Sequence, residues 1–393
     1  MKKFLALLLA MVMMLTMMAG CNNQPADDSS NANDSQSESQ SEASQGEETP
    51  DYDKILTDAA TALGCLAQDN AGATGDYKVA MITDYGDITD QSFNQTTYEA
   101  CKEFCEANSL EFTYFKPAGD SDAERVAMVD KAVDEGYNVI VIPGYAFAGT
   151  VVTAENEYPD TTFIALDVAA GDLLGAALGD AYDYDPSHWD VSKIISKNVY
   201  CAVYQEELCG YMAGYAAVKL GYKQLGFLGG MAVPAVVRYG YGFVQGADAA
   251  AVELGLTDVS IKYAYGNQFY GDASITATVD TWYAAGTEIV FACGGSIYSS
   301  AAEAAAKVNG KIIGVDVDQK GIIDTLGLVS ENPEDNYVQI PMTTQFADGF
   351  TADNYKALVA DMFAGKITVN NDTTIAAADN ATVVTVEDLG NIK

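Results

Sequence analysis

From about residue 76, short apolar runs alternate along the chain with longer stretches of helical spacing. Runs such as Asn138–Pro143 (NVIVIP) are continuously apolar, which is typical of strands buried on both faces of a sheet. Stretches such as Ser92–Asn108 repeat apolar residues every three or four positions, which predicts amphipathic helices. The pattern predicts strands over 77–83, 111–115, 138–143, 161–167, 199–204, 224–228, 260–264, 288–292 and 311–315, and helices over 92–108, 122–135, 147–158, 206–220, 235–254, 274–285 and 299–308.

This alternation predicts an α/β fold with parallel sheets that helices cover on both faces. So many strands exceed what one sheet comfortably holds, so we expect two doubly wound lobes, each built on its own sheet. In such sheets a ligand binds beyond the carboxyl ends of the strands. Two lobes that face each other would therefore place a ligand in the cleft between them.

The predicted strand ends carry glycines, aromatic residues and carboxylates. Glycine lets the backbone approach a ligand closely, a ring can stack on a planar group, and a carboxylate can accept hydrogen bonds from hydroxyl groups. These ends are the candidate ligand-binding positions. They read Thr83-Asp84-Tyr85-Gly86, Pro143-Gly144-Tyr145, Asp167, Gly229-Gly230-Met231, Gly294-Gly295-Ser296 and Asp316-Val317-Asp318-Gln319.

The first 54 residues have the composition of an export and anchoring segment. Residues 1–20 combine two lysines, an apolar run and a small-residue pair, which predicts a secretory signal. The small pair directly before Cys21 resembles a bacterial lipobox, which would make Cys21 the lipidated residue, with Met18 where the usual pattern prefers Leu. A plain signal peptide is the alternative. Residues 22–50 contain seven acidic residues and no Lys, Arg or aromatic residue, so we expect 21–54 to be a disordered acidic tether. The sequence thus predicts a protein anchored by lipid to the extracytoplasmic face of the cell membrane.

Charge and composition exclude several classes of protein. The formal net charge is −36, which disfavours nucleic acid as a partner because phosphates are neutralised by Lys and Arg. The one histidine, His188, argues against multi-histidine metal sites and common acid–base chemistry, and its polar surroundings predict an exposed loop position. After residue 20 no uncharged apolar run approaches the ~20 residues of a membrane helix.

Enzyme motifs are absent or weak. The chain has no GxxxxGK[ST] or GxSxG element, and Leu225–Gly230 lacks the spacing of a dinucleotide-binding loop. Asp316-Val317-Asp318 has three interpretations: a Mg²⁺ site of an exported phosphatase, an acceptor for a diol, or a helix cap or hinge carboxylate. Phe93, in Asp90-Gln91-Ser92-Phe93-Asn94-Gln95, either stacks on a planar ligand at a helix start or belongs to the core.

Six cysteines follow Cys21, and most lie in apolar or helical stretches, where a free cysteine acts as a small buried hydrophobe. Cys101 and Cys105 share a helix face but are poorly oriented for a disulfide. We therefore expect free thiols at Cys65, Cys101, Cys105, Cys201, Cys209 and Cys293.

Three ordered motifs at strand ends resemble those of the basic membrane protein family of substrate-binding lipoproteins. They are SFNQ at Ser92–Gln95, GFLGGM at Gly226–Met231 and IGVDVDQ at Ile313–Gln319, and the resemblance covers about residues 76–365. It implies a type I periplasmic-binding-protein fold, with two lobes joined by a crossover hinge. It also implies a monomer without cofactor or metal that feeds a small-molecule solute, a purine nucleoside in better understood members, to ABC permease and ATPase subunits.

The resemblance also implies roles for individual residues. Phe93 and Tyr239 would sandwich the base, Asn94 would bond polar atoms nearby, and Asp316 would hold ribose hydroxyls. Gly294 and Gly295 would let the backbone approach the sugar. Three further residues, Asp84, Ser92 and Tyr145, are expected in the same ligand-binding cleft. The expected lobes are 76–203 plus 317–336 and 204–316 plus 337–375.

Two departures from the family pattern leave the ligand open. The stretch Met342–Asp348 lacks the Lys that often follows the last strand, and Pro143–Phe147 lacks an Asp that some nucleoside binders place there. A purine nucleoside is the leading hypothesis. A different nucleoside, a free base, a sugar or another small polar solute remains an alternative, as do an exported phosphatase and a surface adhesin or sensor.

Overall fold

The computed structural model describes residues 50–317, 319, 337–338 and 347–393. Residues 1–20, Cys21, most of the predicted tether, Asp318 and nearly all of 320–346 lie outside the described residues. The described chain contains two parallel sheets, each covered by helices on both faces.

The first sheet has five parallel strands in the order β2-β1-β3-β4-β5. β1 pairs with β2 and β3, and β4 lies between β3 and β5. The strands are β1 Lys78–Ile82, β2 Glu111–Phe115, β3 Val139–Pro143, β4 Thr162–Leu166 and β5 Val199–Ala202, and the helices of this lobe are α1 Tyr52–Leu63, α2 Phe93–Asn108, α3 Asp122–Asp134, α4 Ala148–Ala154 and α5 Ala170–Leu178.

The second sheet has six parallel strands in the order β10-β9-β8-β6-β7-β11. β6 and β8 are central, and all five residues of β8 are buried. The strands are β6 Gln224–Gly229, β7 Ser260–Tyr265, β8 Ile289–Cys293, β9 Lys311–Ile313, β10 Tyr337–Val338 and β11 Thr385–Asn391, and the helices are α6 Glu206–Lys219, α7 Pro234–Leu254, α8 Ala273–Ala284, α9 Tyr298–Ala306 and α10 Ala352–Phe363.

Four glycines let α6 and α7 pack with their backbones in contact. A Cβ atom added at any of them would lie 2.0 Å from a carbonyl oxygen of the other helix. Gly210 and Gly214 of α6 face the carbonyls of Tyr239 and Phe243 in α7. Two glycines of α7 face carbonyls of α6 in the same way. This close approach fixes the first turns of α7 beside α6. The reciprocal glycines are Gly242 and Gly246.

The predicted helices and strands are present at the predicted positions, but the pattern does not predict α5, α10 or β10. Two further differences lie at the ends of the described chain. Helix α1 begins at Tyr52, so the end of the predicted tether 21–54 is helical. Leu56 and Ala60 of α1 are fully buried, and burial of this apolar stripe stabilises the helix. Strand β11 extends the second sheet beyond residue 375, where the predicted lobe ended.

Polar loop residues and cysteines are placed largely as expected. The six cysteines after Cys21 are free. His188 is exposed, as predicted, in the short turn Pro186–His188; its Nδ1 lies 2.6 Å from Asp183 Oδ2, and its ring stacks on Tyr52 with centroids 4.8 Å apart. The hydrogen bond from the imidazole raises the pKa of His188.

Candidate functional site

The carboxyl ends of both sheets border one cleft, which contains a cavity of about 660 Å³. Residues after β1, β3, β4 and β5 form one wall, and residues after β6, β7, β8 and β9 form the other. Nine residues expected individually to contact the ligand line this cavity: Asp84, Ser92, Phe93, Asn94, Tyr145, Tyr239, Gly294, Gly295 and Asp316. The other described strand-end candidates divide: Tyr85, Gly86, Gly144, Asp167 and Ser296 line it, whereas Thr83, Pro143, Gly229, Gly230, Met231, Val317 and Gln319 do not.

The loop after β1 is held by its own polar side chains. The carboxylate of Asp84 accepts hydrogen bonds from the backbone N–H of Tyr85 (2.5 Å) and Gly86 (2.6 Å) and from Asn94 Nδ2 (3.0 Å). Burial raises the pKa of Asp84, and these hydrogen bonds oppose the rise. Asn94 also donates to Asp90 (3.0 Å), and its oxygen accepts from the Asp84 N–H (3.3 Å). Its amide is therefore engaged in shaping the wall, in addition to any contact with a ligand.

Ser92 and Asp316 connect the two walls. Ser92 occupies the residue before α2 but makes no side-chain capping bond, and its hydroxyl instead donates to Asp316 Oδ2. Gln319 donates to the backbone oxygen of Gln91 at 2.8 Å beside this contact. Asp316 has surface exposed to the cleft. The surrounding protein nevertheless desolvates its carboxylate and raises its pKa to about 6, although the hydrogen bond from Ser92 lowers it. A carboxylate at this position can accept a hydrogen bond from a hydroxyl group in the cavity.

Aromatic rings enter the cavity from both walls. Phe93, the first residue of α2, meets Tyr204 edge to face with ring centroids 6.1 Å apart. Tyr239, in the first turns of α7, meets Phe291 in the same way at 6.1 Å. Each ring is thus supported through an edge contact and lines the cavity from its own wall.

Tyr145 bridges the walls near these rings. Its hydroxyl donates to Met231 Sδ at 3.5 Å, and its ring lies 6.4 Å from that of Phe269. Phe269 also packs closely against the glycine pair that follows β8. Gly294 and Gly295 have φ angles of 131° and 55°, and a Cβ at Gly295 would lie 2.3 Å from the Phe269 oxygen. Glycine at both positions is required by backbone conformation and by close packing.

Sequence reasoning missed a buried ion cluster, two of whose members, Asp167 and Glu206, line the cavity. Arg238 Nε donates to Glu206 Oε2 at 2.6 Å, and its Nη2 lies 3.4 Å from Asp167 Oδ1. Asp167 follows β4 in the first lobe, whereas Arg238 lies on α7 of the second. Burial and the neighbouring Glu206 raise the pKa of Asp167 to about 7, although Arg238 opposes the rise. The signal in the sequence was an arginine directly before Tyr239, opposite a carboxylate at a strand end.

Several aromatic residues of the cavity were also missed as site residues. Tyr85 was among the strand-end candidates but was not expected individually to bind the ligand, and Tyr204, two residues beyond β5, could have been found by the same strand-end argument. Phe269 and Tyr270 lie four and five residues beyond β7, in a loop whose path the sequence pattern does not predict. Tyr298 begins α9.

The described part of the chain shows neither a cluster of metal ligands nor a membrane-spanning helix. There, His, Cys, Asp and Glu side chains form no group of three that could hold a metal ion. Asp318, the second carboxylate of the Asp316-Val317-Asp318 element, lies outside the described residues. Within the same ranges no helix is both long and apolar enough to cross a membrane.

Sequence comparison identifies the family. Residues 77–352 match the family Bmp, described as ABC transporter substrate-binding protein PnrA-like. The chain is 25% identical over 282 residues to the "ABC transporter nucleoside-binding protein BmpA" of Lactococcus lactis, covering 67% of this chain and 72% of that protein. It is 26% identical over 250 residues to "Basic membrane protein B" of Borreliella burgdorferi, covering 62% of this chain and 65% of that protein.

Solved structures share the fold. A solute-binding protein of an ABC transporter system from Conexibacter woesei aligns with a TM-score of 0.52 at 18% identity, over 75% of this chain and 99% of that one. A solute-binding protein from Aeropyrum pernix aligns with a TM-score of 0.50 at 17% identity, over 77% and 90%. The predicted type I periplasmic-binding-protein fold is confirmed. The match across most of the folded chain shows that the protein belongs to the PnrA-like family of ABC transporter substrate-binding proteins, which are binding components rather than enzymes.

Proposed function

We propose that the protein is a lipid-anchored receptor on the extracytoplasmic face of the cell membrane that captures a purine nucleoside in its cleft. It would act as a monomer and pass the nucleoside to ABC permease and ATPase subunits. The observation that carries the proposal is that Phe93 and Tyr239, from opposite lobes, line one cavity with Asp316. The name of the Lactococcus lactis relative, a nucleoside-binding protein, supports the ligand class.

Stacking would supply much of the affinity. Aromatic pairs contribute about 0.5–1.5 kcal/mol beyond the area they bury, so a base between two rings gains from both faces. Phe93 and Tyr239 belong to different lobes, so a bound base would favour the closed arrangement of the cleft. The ring of Tyr239 serves this purpose as a phenylalanine ring would.

Asp316 would select the sugar. One of its oxygens accepts the Ser92 hydroxyl, and the carboxylate retains further acceptor positions for a ribose hydroxyl. Hydrogen bonds to an ionised group are roughly twice as strong as neutral ones, so a free base that lacks the diol should bind less tightly than its nucleoside.

The proposal is tested by binding of purine nucleosides, pyrimidine nucleosides, free bases and sugars to the full chain purified in detergent. Thermal shift gives the first comparison, because a ligand at ~100 times its Kd stabilises the fold by ~2.7 kcal/mol. Calorimetry then measures affinities for Phe93→Ala, Tyr239→Ala and Asp316→Ala. We expect purine nucleosides to bind most tightly and each variant to lose at least about tenfold in affinity.

Phe104→Ala is the matched control for Phe93→Ala. Phe104 lies on the same helix, is 60% exposed and does not line the cavity, so its loss should leave affinity unchanged. Binding of a sugar with no response to any nucleoside would refute the nucleoside proposal. Equal affinity in Phe93→Ala and Phe104→Ala would refute the stacking role.

The lipid anchor needs its own experiment. Cells that express the chain with Cys21 or with Cys21→Ala are labelled with an alkyne fatty acid and fractionated. We expect label and membrane association in the Cys21 protein and loss of both in Cys21→Ala, because stable attachment requires the acyl chains. Label retained in Cys21→Ala would show that the anchor is elsewhere.

A further inference from the structure

The charge of the cleft is unbalanced. Its described lining includes six carboxylates and no Lys, Arg or His side chain. The carboxylates come from both lobes, so the imbalance belongs to the cavity as a whole. They are Asp84, Asp87, Asp90, Asp167, Glu206 and Asp316.

Neighbouring cations compensate only part of this charge. Asp87 pairs with Lys116 at 3.0 Å, and Asp167 and Glu206 share the single guanidinium of Arg238. Within the described residues, Asp90 and Asp316 accept hydrogen bonds from backbone N–H groups, Asn94 and Ser92, all of them neutral donors. Among the described residues, Asp90 and Asp316 thus have no protein cation as a partner.

The aromatic rings favour the same sign of charge. A cation placed over the face of a tyrosine or phenylalanine ring is attracted by the ring, and the attraction is stronger where water is excluded. Phe93, Tyr145, Tyr204, Tyr239 and Phe269 line the cavity that also contains the uncompensated carboxylates. Carboxylates and ring faces together form an environment in which a positive charge is favoured over a neutral group.

From this geometry we infer that the cleft selects a solute carrying a positive charge, as a protonated amine or an N-alkylated ring, over its neutral counterpart. This inference rests on the proposed function, because it concerns the nucleoside in the same cleft. It deepens that function by naming a cationic nucleoside as the preferred ligand. Asp316, which faces the cavity beside Tyr239 and has no cationic partner among the described residues, would carry much of the preference.

Two pairs of probes separate charge from shape. The first pair is 5′-amino-5′-deoxyadenosine, whose amine is protonated at neutral pH, and adenosine. The second is 1-methyladenosine, which is cationic at neutral pH, and its neutral isomer N6-methyladenosine. Affinities are measured by calorimetry with the full chain in detergent. We expect the cationic member to bind about tenfold tighter in at least one pair, with an affinity that falls as salt is added while that of the neutral member does not.

Asp316→Asn keeps the size of the side chain and removes its charge. We expect it to bring the affinity ratio of the favoured pair close to one. Asp160→Asn removes an exposed carboxylate outside the cavity and should leave the ratio unchanged. The salt dependence of the wild type provides an independent readout if Asp316→Asn folds poorly.

The outcomes distinguish the inference from the proposed function. Neutral members that bind as tightly as cationic ones in both pairs would overturn the charge preference and leave nucleoside capture standing. Failure of all four probes to bind would overturn both.

Discussion

Helices α6 and α7 pack without room for a side chain at four positions, so we predict that Gly214→Ala destabilises the second lobe. The added Cβ would lie 2.0 Å from the Phe243 carbonyl oxygen and 2.9 Å from the Ala247 nitrogen. Both neighbours are backbone atoms of a regular helix, which cannot rotate away as a flexible side chain would.

The size of the effect follows from this geometry. An ordinary contact at a Cβ atom begins near 3.4 Å, so the helices would have to separate by about 1.4 Å at this point. Overpacking of this kind costs about 3 kcal/mol when backbone must move. The replacement of glycine by alanine inside a helix returns at most ~1 kcal/mol. We therefore expect a net loss of about 2 kcal/mol in the free energy of unfolding of this lobe.

Urea unfolding followed by tryptophan fluorescence measures the effect. The chain has two tryptophans, Trp189 in the first lobe and Trp282 in the second. A Trp189→Phe background leaves Trp282 as a reporter of the lobe that contains α6 and α7. We expect a lower urea midpoint with an unchanged slope for Gly214→Ala.

Gly175→Ala is the matched control. Gly175 lies inside helix α5, and the only atom near its added Cβ is in the Tyr182 ring at 3.8 Å. The alanine there should be neutral or stabilise the first lobe by up to ~1 kcal/mol, followed through Trp189 in a Trp282→Phe background. Equal changes at Gly214 and Gly175 would refute the reasoning that backbone contact, rather than helix propensity, decides the outcome.

Three further predictions concern single carboxylates and their partners. Arg238→Gln leaves Asp167 and Glu206 without their shared cation. The loss of one partner from a buried ion cluster costs about 3–5 kcal/mol, so we expect a lower urea midpoint and weaker ligand binding. An unchanged midpoint would refute a stabilising role for the cluster. Asp248 is buried and accepts four hydrogen bonds from residues 382–384, just before β11. These bonds outweigh the effect of burial and lower the pKa of Asp248. Its contribution to stability is therefore present above the unfolded pKa and is lost as the pH falls through the folded pKa. Asp248→Asn should therefore speed amide exchange in β11 at neutral pH and flatten the loss of stability on acidification, and unchanged exchange would contradict it. Desolvation raises the pKa of Asp316 to about 6, so nucleoside affinity should be present above that pH and fall as the pH drops through it. Asp316→Asn should remove this pH dependence. The same pH profile in the wild type and in Asp316→Asn would exclude Asp316 as its source.

The fold was largely predictable because it depends on periodicity. A strand such as Ile289–Cys293 is apolar at every position and buried at every position, and its neighbours along the chain repeat the same pattern. The strand-end rule then located Asp84, Tyr145 and Asp316 without any knowledge of side-chain contacts, because parallel strands end at one edge of a sheet.

What was missed depends on contacts between distant parts of the chain. Helix α1 follows an acidic, polar segment in the sequence. What distinguishes it from that segment is the burial of its apolar residues against the first lobe, which the local sequence does not show. The role of Arg238 depends on its contact with Asp167, which lies 71 residues earlier in the chain. No local sequence pattern connects the two residues. Asn94 lies where a ligand contact was expected, yet the hydrogen bonds that occupy its amide come from a loop whose shape the sequence does not encode locally.

The docking of α1 has a mechanical consequence. Tyr52 packs on His188 and Trp189, and Leu56 and Ala60 are buried in the core of the first lobe, so the chain enters the folded region through that lobe. A tether attached before α1 would therefore act on the first lobe. With the proposed anchor at Cys21, closure of the cleft would move the second lobe, which carries Tyr239 and Asp316, relative to the tethered first lobe. A transporter could then recognise the loaded state from the position of the second lobe.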